Sequence, residues 1–226
     1  MGEQGWDGDL YIGNSFALFC GRTADTELHH HYAAQCAFAE DGEVELERAN
    51  GEVIRAMSVF IPSEEIHRLR ATKATIRILF YEPAMARSKP PEDIAYELSA
   101  HNWLERDWPA LFSLPDALDP RVRKALDLLD LEADDFSNAT VLARAVGLSR
   151  NRFMTLFTAE IGVPVRRYIL WRRLKTAAAA IAEGANITVA AHASGFADSA
   201  HFARTMKSMF GVTATDSVQR LNIVLL

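Results

Sequence analysis

The sequence predicts an α+β chain: a small β-barrel first, then a helical linker, then an all-α domain of two helix-turn-helix units. Three observations predict it. Residues 10–82 alternate short apolar runs with turn dipeptides, and beyond Pro90 and Pro91 the apolar spacing switches to the helical period. Residues 138–211 then state one pattern twice. The expected divisions are 1–87 for the barrel, 88–135 for the linker and 136–226 for the helical domain.

The β region is read from runs at 15–20, 35–39, 44–48, 57–61 and 76–81. Asp41 with Gly42 and Asn50 with Gly51 are hairpin-turn dipeptides. Val44 and Leu46 alternate with Glu43, Glu45 and Glu47, as a strand with one wet face does. Several short strands at this spacing predict a small barrel or jelly roll. Cys20 and Cys36 lie in apolar runs, imply no disulfide framework, and read as small buried hydrophobes.

The linker reads as helices at 92–100, 103–112 and 120–131, the last capped by Asp119 and striped by Val122, Ala125, Leu126 and Leu129. Tyr96, Trp103, Trp108 and Phe112 have two uses open to them: packing against the barrel, or a dimer face. Residues 132–135 form an acidic joint.

In the repeat, Asn138, Thr140, Val141, Ala143, Ala145 and Gly147 recur at an offset of 48 as Asn186, Thr188, Val189, Ala191, Ala193 and Gly195. After the glycine the offset is 49, matching Phe153 with Phe202, Gly162 with Gly211 and Val163 with Val212. Each copy reads as a short helix, a turn and a longer helix. Asn138 and Asn186 are N-caps, and Gly147 and Gly195 supply the left-handed residue that ends the first helix. Two such units can enter successive major grooves of DNA. Between them, a helix starting at Pro164 carries Arg166, Arg167, Arg172, Arg173 and Lys175, some of them expected along phosphates.

The last ninety or so residues resemble the AraC/XylS regulators. The resemblance rests on Gly147 to Phe157, on Gly162, Val163 and Pro164, on Tyr168, Arg173 and Leu174, and on Gly195, Phe196 and Phe202. It implies DNA binding by the second helix of each pair. Helix geometry puts Arg150, Asn151, Met154 and Thr155 on the reading face of the first, and Ser199, Ala200, Ala203 and Arg204 on that of the second. These match the positions that read bases in the family. Arg204 suits guanine, because a guanidinium pairs with both O6 and N7; Asn151 suits adenine. Arg152 and Lys207 read as phosphate contacts. The chain departs from the family with Ala190 where isoleucine is usual, Met206 where phenylalanine is usual, and Ala214 where proline is usual.

In the barrel region His29, His31, Gln35 and Gly42 resemble the first cupin motif, and residues 62–67, ending in His67, resemble part of the second. On a strand His29 and His31 share a side while His30 faces away. With His67 and Gln35 they form a candidate site for zinc, nickel or iron(II), since nitrogen ligands do not suit magnesium or calcium. Gln35 stands where the motif has glutamate, and the second motif lacks its glycine and asparagine. Three readings stay open: a metal centre, the wall of a metal-free effector pocket, or a solvated run.

The net charge of −6 conceals an asymmetry. Residues 138–226 hold eleven Lys/Arg against four Asp/Glu, and residues 1–137 hold thirteen against twenty-six. The basic part fits double-stranded DNA, and the acidic part is expected to stay off it. No signal-peptide pattern and no apolar run of membrane-spanning length occurs, so a cytoplasmic protein with no membrane partner is expected. The composite expectation is a homodimeric transcription regulator, not an enzyme, controlled by a small molecule or metal. The alternative is a metal-dependent cupin enzyme fused to a DNA-binding domain, with a non-sensing nucleoid-type binder as a third reading.

Overall fold

The computed structural model describes residues 6–13, 15–82, 90–112, 117–130, 138–210 and 221–225. Elements are numbered in chain order. Strands β1 (Asp7–Ile12), β2 (Phe16–Arg22), β3 (Ala34–Ala39), β6 (Ser58–Ile61), β8 (Ile76–Tyr81) and β9 (Leu221–Leu225) form one sheet, ordered β6-β3-β8-β2-β1-β9. Strands β4 (Val44–Arg48), β5 (Val53–Ala56) and β7 (His67–Arg70) form a second, ordered β5-β4-β7. Asn50 and Gly51 do turn a hairpin between paired β4 and β5, with Gly51 at φ 83°. Asp41 and Gly42 do not. β3 pairs with β6 and β8, so this turn carries the chain from one sheet to the other.

The central strands are covered on both faces, which explains why their runs do not alternate. Ala17 and Phe19 of β2, with Ile78 and Phe80 of β8, face Val44, Leu46 and Leu69 of the second sheet. Phe16, Leu18, Leu79 and Tyr81 face the linker elements α1 (Pro91–Ser99), a 3₁₀ turn at Trp103–Glu105, and α2 (Trp108–Leu111). Residues 103–112 are therefore two pieces, not the single helix expected. Pro109 cannot continue a helix from the preceding turn, and the Asp107 side chain accepts from the Ala110 amide to start a new one. Trp103, Trp108 and Phe112 are buried against the sheet, each contributing about 1.5–3 kcal/mol of burial, while Tyr96 is 70% exposed. Arg77 fastens this layer: it donates to Glu40 and to the carbonyls of Leu98 and Ala100, and lies over the rings of Phe38 and Trp103. Burial also pushes the Cys36 thiol up to about 12, consistent with an inert core residue.

The helical part comprises α3 (Pro120–Asp130), α4 (Ala139–Ala145), α5 (Arg150–Ile161), α6 (Val165–Ala182), α7 (Ile187–Ala193) and α8 (Ser199–Phe210). Asn138 caps α4 by accepting from the Thr140 and Val141 amides, and Asn186 caps α7 by accepting from Val189. Gly147 and Gly195 have φ of 72° and 76°. The expected divisions near residues 87 and 135, and Gly211, Val212 and Ala214, lie outside the described residues.

Two cores divide the helices. Val122, Leu126, Leu142, Phe153, Phe157 and Tyr168 join α3, α4, α5 and the start of α6. The rest of α6 with α7 and α8 shares the core of the β-sheets through Trp171, Leu174, Phe202, Met206 and Phe210. The tail β9 pairs in parallel with β1, and Asn222 donates to Asp9 across a separation of 213 residues. That pairing accounts for the apolar character of the tail. Ala190 and Ala191 are fully buried where α7 meets α6, so the small side chains give close packing there.

Candidate nucleic-acid interface and metal centre

Both second helices of the pairs present open faces. On α5, Arg150, Asn151, Arg152, Met154 and Thr155 are exposed while Phe153 and Phe157 are buried. On α8, Ala200, Arg204 and Lys207 are exposed, Ser199 and Ala203 are partly covered, and Phe202 and Met206 are buried. Ser149 caps α5 through the Arg152 amide, and Asp198 caps α8 through the His201 amide. The open N-terminal ends are those a groove-reading helix uses. Three of the basic residues of α6 make contacts within the chain. Arg172 donates to the Leu129 carbonyl, Arg167 lies over the Tyr32 ring, and Arg173 packs under Gly195. They hold elements together, while Arg166 is exposed.

The histidines converge. Potential ligand atoms of His29, His31 and His67 all lie within 4.8 Å of one another. Position comes from β7, where His67 starts the strand, and from a backbone bridge that exchanges hydrogen bonds of 2.9 Å between His29 and His67. Each ring is held by its Nδ1, which donates to a backbone carbonyl: Glu27 at 2.8 Å, Ala33 at 2.8 Å and Glu65 at 2.9 Å. That arrangement leaves Nε2 as the lone pair of each ring, the orientation outer partners impose on metal-bound imidazoles. His67 Nε2 is buried with no protein partner. The Gln35 amide lies 3.0 Å from His31 Nε2, and its Nε2 is also buried and unpartnered. Because amide oxygen and nitrogen are assigned from the network, the consistent orientation has the Gln35 amide donating to the His31 lone pair.

Burial dominates the electrostatics. It lowers the pKa of His29, His31 and His67 from the ordinary value, to about 3 for His67, so all three rings are neutral near pH 7. A neutral imidazole is the ligating form. Three neutral nitrogens, with no carboxylate in the cluster among the described residues, suit a borderline divalent ion and not a hard one. His30 points away and pairs with exposed Glu64 at 2.8 Å. Sequence reasoning missed Glu82, which is 1% exposed and accepts from the Tyr32 hydroxyl at 2.7 Å and from Trp171 Nε1 at 3.1 Å. No sequence signal marks it, because both donors are remote along the chain.

Residues 142–220 match the helix-turn-helix domain family. This C-terminal segment is similar to a helix-turn-helix domain, in keeping with the paired short and long helices α4–α5 and α7–α8. No curated protein matches the chain. Among solved structures, an apo ToxT variant from Vibrio cholerae superposes over 93% of this chain and 99% of its own, with a TM-score of 0.50 at 12% identity. ToxT from Vibrio cholerae bound to (E)-4-(8-methylnaphthalen-1-yl)but-3-enoic acid covers 90% of this chain and 98% of its own, with a TM-score of 0.50 at 13% identity. A transcriptional regulator from Chromobacterium violaceum, described as AraC-type, covers 45% of this chain and 92% of its own, at 25% identity and a TM-score of 0.39. At such identities the ToxT likeness defines the fold: a β-rich N-terminal part joined to helix-turn-helix units. Among the described residues no helix is long and apolar enough to cross a membrane.

Proposed function

We propose that this is a cytoplasmic, sequence-specific transcription regulator whose β part senses a divalent transition ion held by His29, His31 and His67 beside Gln35. Arg150, Asn151, Met154, Thr155, Ser199, Ala200, Ala203 and Arg204 face base edges, with Arg152 and Lys207 on phosphates. The observation that carries the sensor reading is the convergence of three buried imidazoles, each oriented by a backbone carbonyl, with His67 Nε2 left unpartnered. A bound zinc, nickel or iron(II) ion would add a dication to three neutral imidazoles. We assign no catalytic residue.

The test is elemental analysis of untagged protein, then titration of the apo form with zinc and nickel while binding to sites selected from random DNA is followed. Near-stoichiometric metal and a change in operator affinity are expected. Sub-stoichiometric metal with no heat of binding sinks the ion. A second reading then takes over, in which the same residues wall an organic effector pocket; it draws on the ToxT structure that holds a carboxylic acid. Failure to enrich any sequence from random DNA sinks sequence-specific regulation itself. The working form is a homodimer held through residues 1–137, where Tyr96 and Leu104 offer exposed apolar surface. Sedimentation of the full chain as a monomer at micromolar concentration refutes that.

A further inference from the structure

The segment 29–33 touches two sites at once. His29 and His31 belong to the histidine cluster. The next two backbone amides leave the cluster altogether: Tyr32 N donates to the Ser208 carbonyl at 3.1 Å, and Ala33 N donates to the Met209 carbonyl at 3.4 Å. Those carbonyls end α8, where a helix has no partners of its own for its last C=O groups. The second reading helix is thus capped by the sensor's ligand loop.

Other contacts follow the same route. The Tyr32 hydroxyl and Trp171 Nε1 of α6 meet on the two oxygens of buried Glu82. Phe80 lies with its centroid 5.7 Å from that of His31 and 5.5 Å from that of Phe210, one ring between the cluster and the end of α8. Protonation of His29 is disfavoured first by burial and in smaller part by the charge of Lys207 on α8. In contrast the first helix pair has its own core with α3.

We propose that residues 29–33 are a coupling loop, through which filling the histidine site locks the second helix-turn-helix onto the β domain and so sets the spacing of the two reading heads. The proposal rests on the metal reading above and adds its route of control. An ion tying His29, His31 and His67 together restrains the loop on both sides of His30, and Tyr32 and Ala33 follow directly. Without it, the loop and the end of α8 are freer to separate. The charge balance favours the locked state. The carbonyl end of a helix attracts a cation nearby, whereas Lys207 is exposed and its repulsion is screened by water and salt. Because α8 keeps Arg204 outward while docked, locking fixes the head without hiding it. By linkage, whatever docking gains from the ion, ion affinity gains from docking.

Hydrogen exchange on the full-length, untagged chain tests this, with zinc as the probe. Zinc is expected to slow exchange of α8 and of the Tyr32 and Ala33 amides about tenfold, leaving α5 unchanged. Tyr32→Phe removes only the hydroxyl on Glu82 and keeps every zinc ligand, so zinc should still bind but protect α8 several-fold less. Trp171→Phe removes the other donor to Glu82 and should act the same way, which guards against one variant misfolding. Zinc binding with no change at α8 in the unsubstituted chain overturns the coupling and leaves the metal site standing. Absence of zinc binding overturns the metal reading instead. In zinc-free protein both variants should speed α8 exchange, and unchanged rates in both overturn the loop's role whatever the pocket holds.

Discussion

The two helix-turn-helix units share a sequence pattern and little else. The first closes over its own small core with α3, while the second has given its apolar face to the β-sheets and to β9. A duplicated motif records duplicated local geometry, because caps, turn glycines and the apolar stripe act within twenty residues. It does not record duplicated surroundings. Here one copy packs on its own with α3, and the other is packed into the core of the β-sheets.

The largest expected effect that would break this contrast comes from the equivalent phenylalanines. Phe153→Ala and Phe202→Ala should each cost about 3–5 kcal/mol, since both side chains are buried and leave cavities. Hydrogen exchange should place the damage of the first in α3–α5 alone, and that of the second in the β-sheets as well. Equal spreading from both positions would refute the division into two cores.

Arg204→Ala should cost about 1–3 kcal/mol at the selected site and relax preference at one base pair. Lys207→Ala should weaken all sequences alike and lower the salt slope by about one unit. Equal losses on random and selected DNA from Arg204→Ala would undo its assignment as a base reader.

Acid should separate the regions too. His29, His31 and His67 have folded pKa values below their unfolded values, so the unfolded chain binds more protons in this range. Their contribution is intact above pH 6.5 and is lost as pH falls from there towards about 3, the value for His67. The slope for one such group is about 1.4 kcal/mol per pH unit. Denaturation of metal-free protein between pH 7 and 4 should weaken the β domain with its attached head, and His67→Phe should flatten the dependence. The first head, with no histidine in α3–α5, should hold.

Smallest are the caps. Asn138 accepts two amides and Asn186 one, so Asn138→Ala should cost about 1 kcal/mol and Asn186→Ala less. Urea melts resolve a difference of this size, and the reverse order would contradict the cap geometry.

What was legible in the sequence follows from the same distinction between local and remote causes. Asn138, Gly147, Asn186 and Gly195 act on their neighbours, and the helix ends fall where they predict. β2, β3, β4, β6 and β8 show as apolar runs. β1 did not stand out, because Gly8 and two aspartates weaken its pattern. It exists through pairing with β2, where Gly8 and Gly21 approach so closely that a Cβ on Gly8 would strike the Cys20 carbonyl. β7 is half arginine and is held by Glu47, which takes ion pairs from Arg68 and Arg70 across the sheet. The convergence of His29, His31 and His67 was readable from the two-residue spacing of the first pair on one side of an extended segment. The Glu82 junction was not, since Tyr32 and Trp171 reach it from 50 and 89 residues away.

The strand β9 has a kinetic meaning. The first head is built from contacts made within about fifty residues, and such structure forms fast. The β1–β9 ladder closes a loop spanning 213 residues, which must be searched before any of its hydrogen bonds reward the chain. Refolding is therefore expected to run in an order opposite to the apparent symmetry of the repeat. Pulse-labelling hydrogen exchange should find α3–α5 protected early, and α8 protected only with the β1–β9 ladder, in the late step that completes the β-sheet.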